Sequence, residues 1–153
     1  MKNNHTWVIC AYGESEFLEA CILSLQAQTL PSKIICYSST PLDSIKQLCQ
    51  KYGIPFYTKE GGGIGKDWNN ALSFVETSYA TIAHQDDYYE PTYLEAVMQK
   101  IEQSKDVLIA YTDYFEEKNG VKIPANTNLK IKTFMLKTLN LMPSSHFWRN
   151  RVL

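Results

Sequence analysis

The chain has 153 residues, of which 44% are hydrophobic and 20% are charged, and its net charge is −1. These values are typical of one globular domain with an ordinary core. A nucleic-acid-binding domain usually has a strongly positive net charge, which this chain lacks. The N-terminus, MKNNHTWVIC, lacks the apolar run of a signal peptide, and no segment approaches the roughly 20 apolar residues that span a bilayer. We therefore expect a cytoplasmic protein, with attachment to the inner face of the membrane left open.

Strands and helices alternate along the first two thirds of the chain. Short apolar runs predict strands at residues 6–12, 33–37, 54–58, 79–83 and 106–111. Apolar residues at helical spacing predict the intervening helices, at residues 17–25, 41–52, 68–75 and 94–101. Thr40, followed by Pro41, is the predicted cap of the second helix. Asn119-Gly120 predicts a hairpin, and a weaker pattern predicts a helix at about 130–140. The alternation predicts a three-layer α/β/α fold with a mostly parallel sheet, similar to a Rossmann fold.

Ligands of such sheets bind beyond the carboxyl ends of the strands, where the strand order reverses. The residues that follow each predicted strand are therefore the candidates for a site. They are residues 12–14, 38–40, 60–67 and 84–87. These groups are far apart in the sequence, and the fold is expected to bring them to one edge.

The glycine-rich stretch KEGGGIGKDWNNAL, residues 59–72, resembles a phosphate-binding loop only superficially. The nucleoside-triphosphatase pattern needs glycine where Glu60 stands and serine or threonine where Asp67 stands, and the dinucleotide pattern needs glycine at Lys66. A flexible turn between a strand and a helix explains the glycines as well as a nucleotide-binding loop does. Lys66 could face a diphosphate or simply be solvated.

The segment HQDDYYEP, residues 84–91, is the most informative one. Asp86 and Asp87 follow directly on a buried strand, where two carboxylates repel each other. A divalent cation would offset that repulsion, and Mg²⁺ and Mn²⁺ prefer oxygen ligands. The alternative is that the acids cap a turn or a helix. His84 could be a base, a ligand or a hydrogen-bonded residue at a strand end.

Other chemistry-bearing residues leave alternatives open. Tyr12 could stack on a nucleobase or be partly buried, and Asp113 could approach an acceptor or belong to the hairpin. The four cysteines contain no C-x-x-C pair, so they support neither a zinc site nor a thioredoxin-like site. We expect buried free thiols.

Together, the segments ICAYGESEFLEACILSLQAQT, IICYSSTP, GIGKDWNNAL, YATIAHQDDYYEP and VLIAYTDYF resemble the family 2 glycosyltransferases, which have the GT-A fold. The resemblance covers residues 6–115 well and the remainder loosely. It implies one domain over residues 1–153, with a donor-binding half at about 6–115 and the start of the acceptor half at about 116–153. The segment MPSSHFWRNRVL, residues 142–153, looks like the part that leads into the acceptor half.

The resemblance implies inverting transfer from a nucleotide-sugar donor to a saccharide or lipid-linked acceptor, in polysaccharide biosynthesis. The acid pair would correspond to the D-x-D motif, with Asp86 and Asp87 binding Mg²⁺ or Mn²⁺. The implied donor-binding residues are Tyr12, Glu14, Ser38, Asp67, Asn69 and Asp86.

Three features depart from the family pattern. Ser38 stands near an aspartate that contacts the base, which weakens the case for a uridine donor, and His84 replaces the first acid of D-x-D. The catalytic general base is expected beyond Leu153, so we expect a truncated enzyme or a domain that needs a partner chain. The alternative is a non-catalytic nucleotide-sugar-binding module. A nucleotidyltransferase is less favoured, because AYGES lacks the Gly- and Arg-rich loop that would follow its first strand.

Overall fold

The computed structural model describes residues 4–103, 107, 109–110, 112, 114–124 and 151–152. The strands are β1 His5–Cys10, β2 Lys33–Tyr37, β3 Phe56–Tyr57, β4 Tyr79–His84, β5 Ile109–Ala110, β6 Phe115–Lys118, β7 Val121–Pro124 and β8 Arg151–Val152. The helices are α1 Leu18–Gln26, α2 Asp43–Lys51, α3 Ile64–Leu72 and α4 Tyr93–Glu102. Six strands form one sheet in the order β3-β2-β1-β4-β8-β5, and β6 and β7 form a separate two-stranded hairpin. All strand pairs of the larger sheet are parallel.

The sheet is covered on both faces, as the alternation of strands and helices predicts. Trp7 and Ile9 of β1 face a core that contains buried residues of α1, α2 and α4. Val8 lies between them in the strand and belongs to a second core with Ala71 of α3. Because successive strand residues point to opposite faces, this division places α3 on one side of the sheet and the other three helices on the opposite side. The three-layer α/β/α prediction is confirmed.

Several boundaries of strands and helices differ from the predicted ones, because the backbone conformation of the loops, and not the apolar pattern, decides where these elements begin and end. β1 ends at Cys10 rather than at residue 12, and β3 has two residues rather than five. α3 begins at Ile64, earlier than predicted, since Gly63 has φ +99° and lets the chain turn directly into the helix. α2 begins at Asp43, one turn after the predicted cap at Thr40.

The predicted hairpin is present, and Asn119 and Gly120 both have positive φ, as a tight two-residue turn requires. Asp113 and the predicted helix at about 130–140 lie outside the described residues. Cys21, Cys36 and Cys49 are buried free thiols, whereas Cys10 is half-buried. Within the described ranges, no helix is long and apolar enough to cross a membrane.

The carboxyl ends of β2, β1 and β4 are level with one another. Cys10 at the end of β1 is in register with Tyr37 of β2 on one side and with His84 of β4 on the other. The chain proceeds outward from β1 through β2 and β3 on one side and continues with β4 on the other. The strand order therefore reverses between β1 and β4, and a crevice for a ligand is expected beyond that pair.

Candidate functional site

Two loops leave the sheet side by side at the point where the strand order reverses. The loop after β1 contains Tyr12, whose side chain is 69% exposed. Gly13 follows with φ +65°, a conformation that favours glycine, and Glu14 is exposed to solvent. The loop after β4 contains Gln85 and the acid pair. The predicted nucleoside-contacting residues and the predicted cation ligands thus lie on neighbouring loops.

The side-chain amide of Gln85 joins these two loops. The Tyr12 backbone N–H donates to Gln85 Oε1 at 3.1 Å, and Gln85 Nε2 donates to the Tyr12 carbonyl oxygen at 2.8 Å. The amide thereby takes the place that a neighbouring strand's peptide group would take, just past the last register pair of β1 and β4. Sequence reasoning missed this role, because nothing in a single sequence tells which backbone a glutamine side chain reaches.

The acid pair lies in a turn closed by a hydrogen bond from the Asp87 N–H to the His84 carbonyl oxygen, at 3.1 Å. Both carboxylates are exposed, and Asp87 accepts a long hydrogen bond of 3.5 Å from the Tyr89 hydroxyl. Partial desolvation and, after it, the negative charge of Asp86 raise the pKa of Asp87, while nearby His84 acts in the opposite direction. Two adjacent carboxylates place like charges side by side in this turn, and a bound cation would offset their repulsion.

No lysine or arginine of the described ranges forms an ion pair with either acid. Those ranges also contain no cluster of three or more His, Cys, Asp or Glu side chains that could hold a metal. Among the described residues, a cation at this turn would thus have at most two ligands of these types.

Residues of helix α1 and Gln28 hydrogen-bond to the backbone of the acidic loop, residues 85–92, which joins β4 to α4. Cys21 Sγ donates to the His84 carbonyl oxygen at 3.3 Å, and the Tyr89 N–H donates to Ser24 Oγ at 3.2 Å. Gln28, just after the helix, is 6% exposed. Its amide donates to the Glu90 carbonyl oxygen at 2.9 Å and accepts from the Leu94 N–H at 3.0 Å. These contacts satisfy backbone groups of the loop after β4 and of the first turn of α4, and so they fix the position of the acid pair.

A second polar cluster lies at the carboxyl end of β2. Asp67, in the first turn of α3, accepts hydrogen bonds from Ser39 Oγ at 3.1 Å and from the Tyr37 hydroxyl at 3.5 Å. Asn70 Nδ2 donates to the same hydroxyl at 3.1 Å and to the Glu60 carbonyl oxygen at 3.0 Å. Gly61 packs over this cluster so closely that an added Cβ would lie 2.6 Å from Ser39 Cβ. The glycine-rich stretch thus lets the backbone approach the strand ends and orients Asp67.

Of the predicted donor-binding residues, Ser38 is placed differently from expectation. Ser38 is fully buried, and its hydroxyl accepts the Thr40 N–H at 3.2 Å, so it supports the turn after β2 instead of facing the crevice. This corrects the expectation that Ser38 contacts a donor directly. Asn69 is exposed on α3, and its neighbour Asn70 makes the contacts with β2. Trp68 packs edge-on against the His84 ring, with centroids 5.4 Å apart, which brings α3 beside the end of β4.

Comparison with known proteins identifies the family. Residues 6–151 match the model of Glycosyl transferase family 2, which is nearly the whole chain. The chain belongs to this family. The family 2 assignment agrees with the GT-A fold and with the resemblance carried by the loop motifs.

Curated and solved relatives give the extent of the likeness. Glycosyltransferase GlyA of Streptococcus pneumoniae serotype 4 (strain ATCC BAA-334 / TIGR4) is 24% identical over 123 residues, covering 76% of this chain and 18% of GlyA. TarS 1-349 of S. aureus, solved in complex with UDP-GlcNAc, has a TM-score of 0.65 at 19% identity and covers 80% of this chain and 38% of that one.

Glucosyl-3-phosphoglycerate synthase of Mycobacterium tuberculosis, solved with Mn²⁺, UDP and glucosyl-3-phosphoglycerate, has a TM-score of 0.62 at 13% identity. The match covers 72% of this chain and 44% of the synthase. This family 2 chain therefore spans less than half the length of each of these relatives, and the likeness to the two solved structures is one of fold.

Proposed function

We propose that this chain is the donor-binding part of an inverting glycosyltransferase, with the donor half at residues 6–115 and the start of the acceptor half at 116–153. It binds a nucleoside diphosphate sugar with Mg²⁺ or Mn²⁺ and transfers the sugar to the hydroxyl of a saccharide or lipid-linked acceptor. The observation that carries the proposal is the Asp86–Asp87 turn, tied to Tyr12 at the switch point of a family 2 sheet. The complexes of TarS with UDP-GlcNAc and of the synthase with Mn²⁺ and UDP support the choice of ligands.

The acid pair fits a divalent cation. Mg²⁺ and Mn²⁺ are commonly held by one or two carboxylates while substrate phosphates complete the coordination, and the described residues offer two carboxylates and no third ligand. When bound, such a cation stabilises the negative charge that develops on the leaving nucleoside diphosphate. Asp86 and Asp87 hold it, and the contacts of α1 with the loop keep both carboxylates at the edge of the sheet.

The nucleoside is proposed to extend from the acid pair across β1 toward β2. Neighbouring strands are about 4.8 Å apart, so this path covers about 10 Å. Tyr12 and Glu14 lie along it, and its far end meets Asp67. That carboxylate carries no ion pair among the described residues and keeps acceptor capacity beyond its bonds to Ser39 and Tyr37. It suits a ribose hydroxyl or a base N–H, and exposed Asn69 suits a hydroxyl of the donor.

For the transfer itself, an acceptor hydroxyl attacks the anomeric carbon from the side opposite the diphosphate, which inverts the configuration. The hydroxyl proton passes to a carboxylate general base as the new bond forms. We assign that base to no described residue, because Asp86 and Asp87 are committed to the cation and Asp67 to its neighbours in the sheet. We place the reaction in the cytoplasm, at the inner face of the membrane when the acceptor is lipid-linked, and in polysaccharide synthesis.

A second candidate function is a non-catalytic nucleotide-sugar-binding module that acts with a partner chain. The observation that favours it is that, in the part of the chain that the structure describes, the paired acids after β4 are assigned to the cation and no carboxylate is assigned as general base. A transfer assay on the 153-residue chain separates the two candidates. Donor binding without turnover supports the module, and transfer to an added acceptor supports the enzyme.

The binding claim is tested by calorimetry with UDP, ADP and GDP, each with and without Mn²⁺, since the residues at the end of β2 do not fix the base. We expect at least one diphosphate to bind about tenfold or more tightly with Mn²⁺, and Asp86→Ala to abolish the increment. Glu76→Ala is the matched control, because Glu76 is an exposed acid paired with Lys33 at the opposite edge of the sheet. Binding that is independent of Mn²⁺, or the same loss in both variants, contradicts the proposal.

A further inference from the structure

Gln85 occupies a position that links the two halves of the proposed donor site. It follows the last residue of β4 and immediately precedes Asp86, and its side chain holds both backbone polar groups of Tyr12. The other described bond to this loop runs to β2, since the Ala11 N–H donates to the Tyr37 carbonyl oxygen at 2.9 Å. Among the described residues, Gln85 therefore supplies the hydrogen bonds between the Tyr12 loop and the end of β4.

The loop needs this connection because little else fixes Tyr12. Its side chain is 69% exposed, and Gly13, with positive φ and open space around its Cβ position, follows at once. A residue with an exposed ring, next to a glycine, would lose considerable conformational freedom on binding a ligand. Two hydrogen bonds to one amide remove part of that freedom before the ligand arrives, and preorganisation of this kind increases affinity.

The same side chain also orients the acid turn. Gln85 lies inside the turn closed by the Asp87 N–H and the His84 carbonyl oxygen. Tying it to β1 sets how that turn lies relative to the Tyr12 loop. The backbone that carries the Tyr12 ring is then held beside the backbone that carries the two carboxylates, which favours a ligand that contacts both.

We propose that Gln85 is a positioning residue for the donor, acting through the Tyr12 backbone so that Tyr12 and the Asp86–Asp87 turn hold one ligand together. This inference rests on the proposed function. It assigns Gln85 no contact with the donor and no bond to the cation. Its effect on nucleotide affinity should therefore depend on Tyr12.

The test combines hydrogen exchange with a double-mutant cycle. Gln85→Met keeps the length of the side chain but removes both hydrogen bonds, and Gln50→Met, at an exposed position on α2, controls for the added methionine. By NMR, we expect the Tyr12 amide to be protected from exchange in the parent chain and to lose protection in Gln85→Met. The Ala11 amide, bonded to β2, should keep its protection in both. Unchanged protection of the Tyr12 amide in Gln85→Met would overturn the claim that Gln85 holds the Tyr12 backbone.

Calorimetry with UDP and Mn²⁺ then tests the consequence for affinity. Ordering the backbone of one freed residue on binding corresponds to about tenfold weaker binding, and in a Tyr12→Ala background the same change should alter affinity less than about twofold. Equal effects in the two backgrounds, or none in the first, overturn the positioning role while leaving the proposed function intact. If the parent chain does not bind UDP, the same comparison is made with ADP or GDP, whichever it binds. Absence of binding by all three would overturn the proposed function and the Gln85 inference with it.

Discussion

His5, at the start of β1, makes the stability of this domain dependent on pH. Its ring is fully buried, with Nδ1 2.8 Å from Ser32 Oγ and Nε2 2.9 Å from Thr81 Oγ1. The Ser32 hydroxyl also donates to the His5 carbonyl oxygen at 2.6 Å. This pattern suits a neutral ring that donates from Nδ1 and accepts at Nε2. Because burial disfavours the charged ring, the pKa of His5 falls from 6.5 to about 3.

The sign of the effect follows from proton binding. Between pH 6.5 and about pH 3 the unfolded chain binds a proton at His5 that the folded chain does not, so the free energy of unfolding falls as the pH is lowered through this window. Above pH 6.5 both states are neutral and the contribution is fully present. At pH 5, about 1.5 units below the unfolded pKa, the loss amounts to about 2 kcal/mol, at about 1.4 kcal/mol per pH unit.

Urea unfolding followed by far-ultraviolet circular dichroism at pH 7.5 and pH 5 measures this loss. His5→Gln is the comparison, because it removes the titrating ring and keeps a polar side chain that can reach a hydroxyl. The variant should be less stable at pH 7.5 but should lose about 2 kcal/mol less than the parent chain on acidification. Other groups that titrate in this range cancel in the difference. Equal losses in the two chains would refute the reasoning about His5.

The remaining predictions concern the loops around the crevice. Gly61→Ala should destabilise the fold by about 1–3 kcal/mol in urea unfolding, because its Cβ would lie 2.6 Å from Ser39 Cβ. Gly65→Ala, with open space at its Cβ position in α3, should be neutral or stabilising by up to about 1 kcal/mol, and equal destabilisation would contradict the packing argument. Gln28→Met should destabilise by about 2–4 kcal/mol and reduce the Mn²⁺ increment in calorimetry, since it leaves the Glu90 carbonyl oxygen and the Leu94 N–H without this partner. A stable variant with a full Mn²⁺ response would contradict the support role. Asp67→Asn should weaken nucleotide binding yet keep the Mn²⁺ increment. Loss of the increment would show that Asp67 does not act independently of the cation at Asp86 and Asp87.

The periodicity of the sequence was enough to predict the layers of the fold. Trp7, Val8 and Ile9 alternate between the two cores as a buried strand requires, and the spacing of Cys21 and Leu25 marks the buried face of α1. The order of these elements predicted the parallel sheet and therefore the edge where the loops meet. The boundaries were less predictable, because the early start of α3 depends on the backbone conformation of Gly63.

The site could be predicted in composition but not in detailed arrangement. The acids after β4 stood out by type and position, and the structure places them on the loop next to Tyr12. That Ser38 turns inward while Ser39 reaches Asp67 depends on which side chain fits beneath the turn after β2, and no pattern in one sequence records it. The reach of Gln85 and Gln28 to distant backbone groups is likewise a property of the folded loops.

The central claim, that the acid pair binds a cation shared with a nucleotide, is tested most directly by anomalous scattering from crystals of the chain grown with UDP and Mn²⁺. We expect one manganese peak about 2.2 Å from a carboxylate oxygen of Asp86 or Asp87, with diphosphate oxygens completing its coordination and the nucleoside lying over Tyr12. A bound nucleotide with no manganese at the acid pair, or manganese held at another place, would contradict the account.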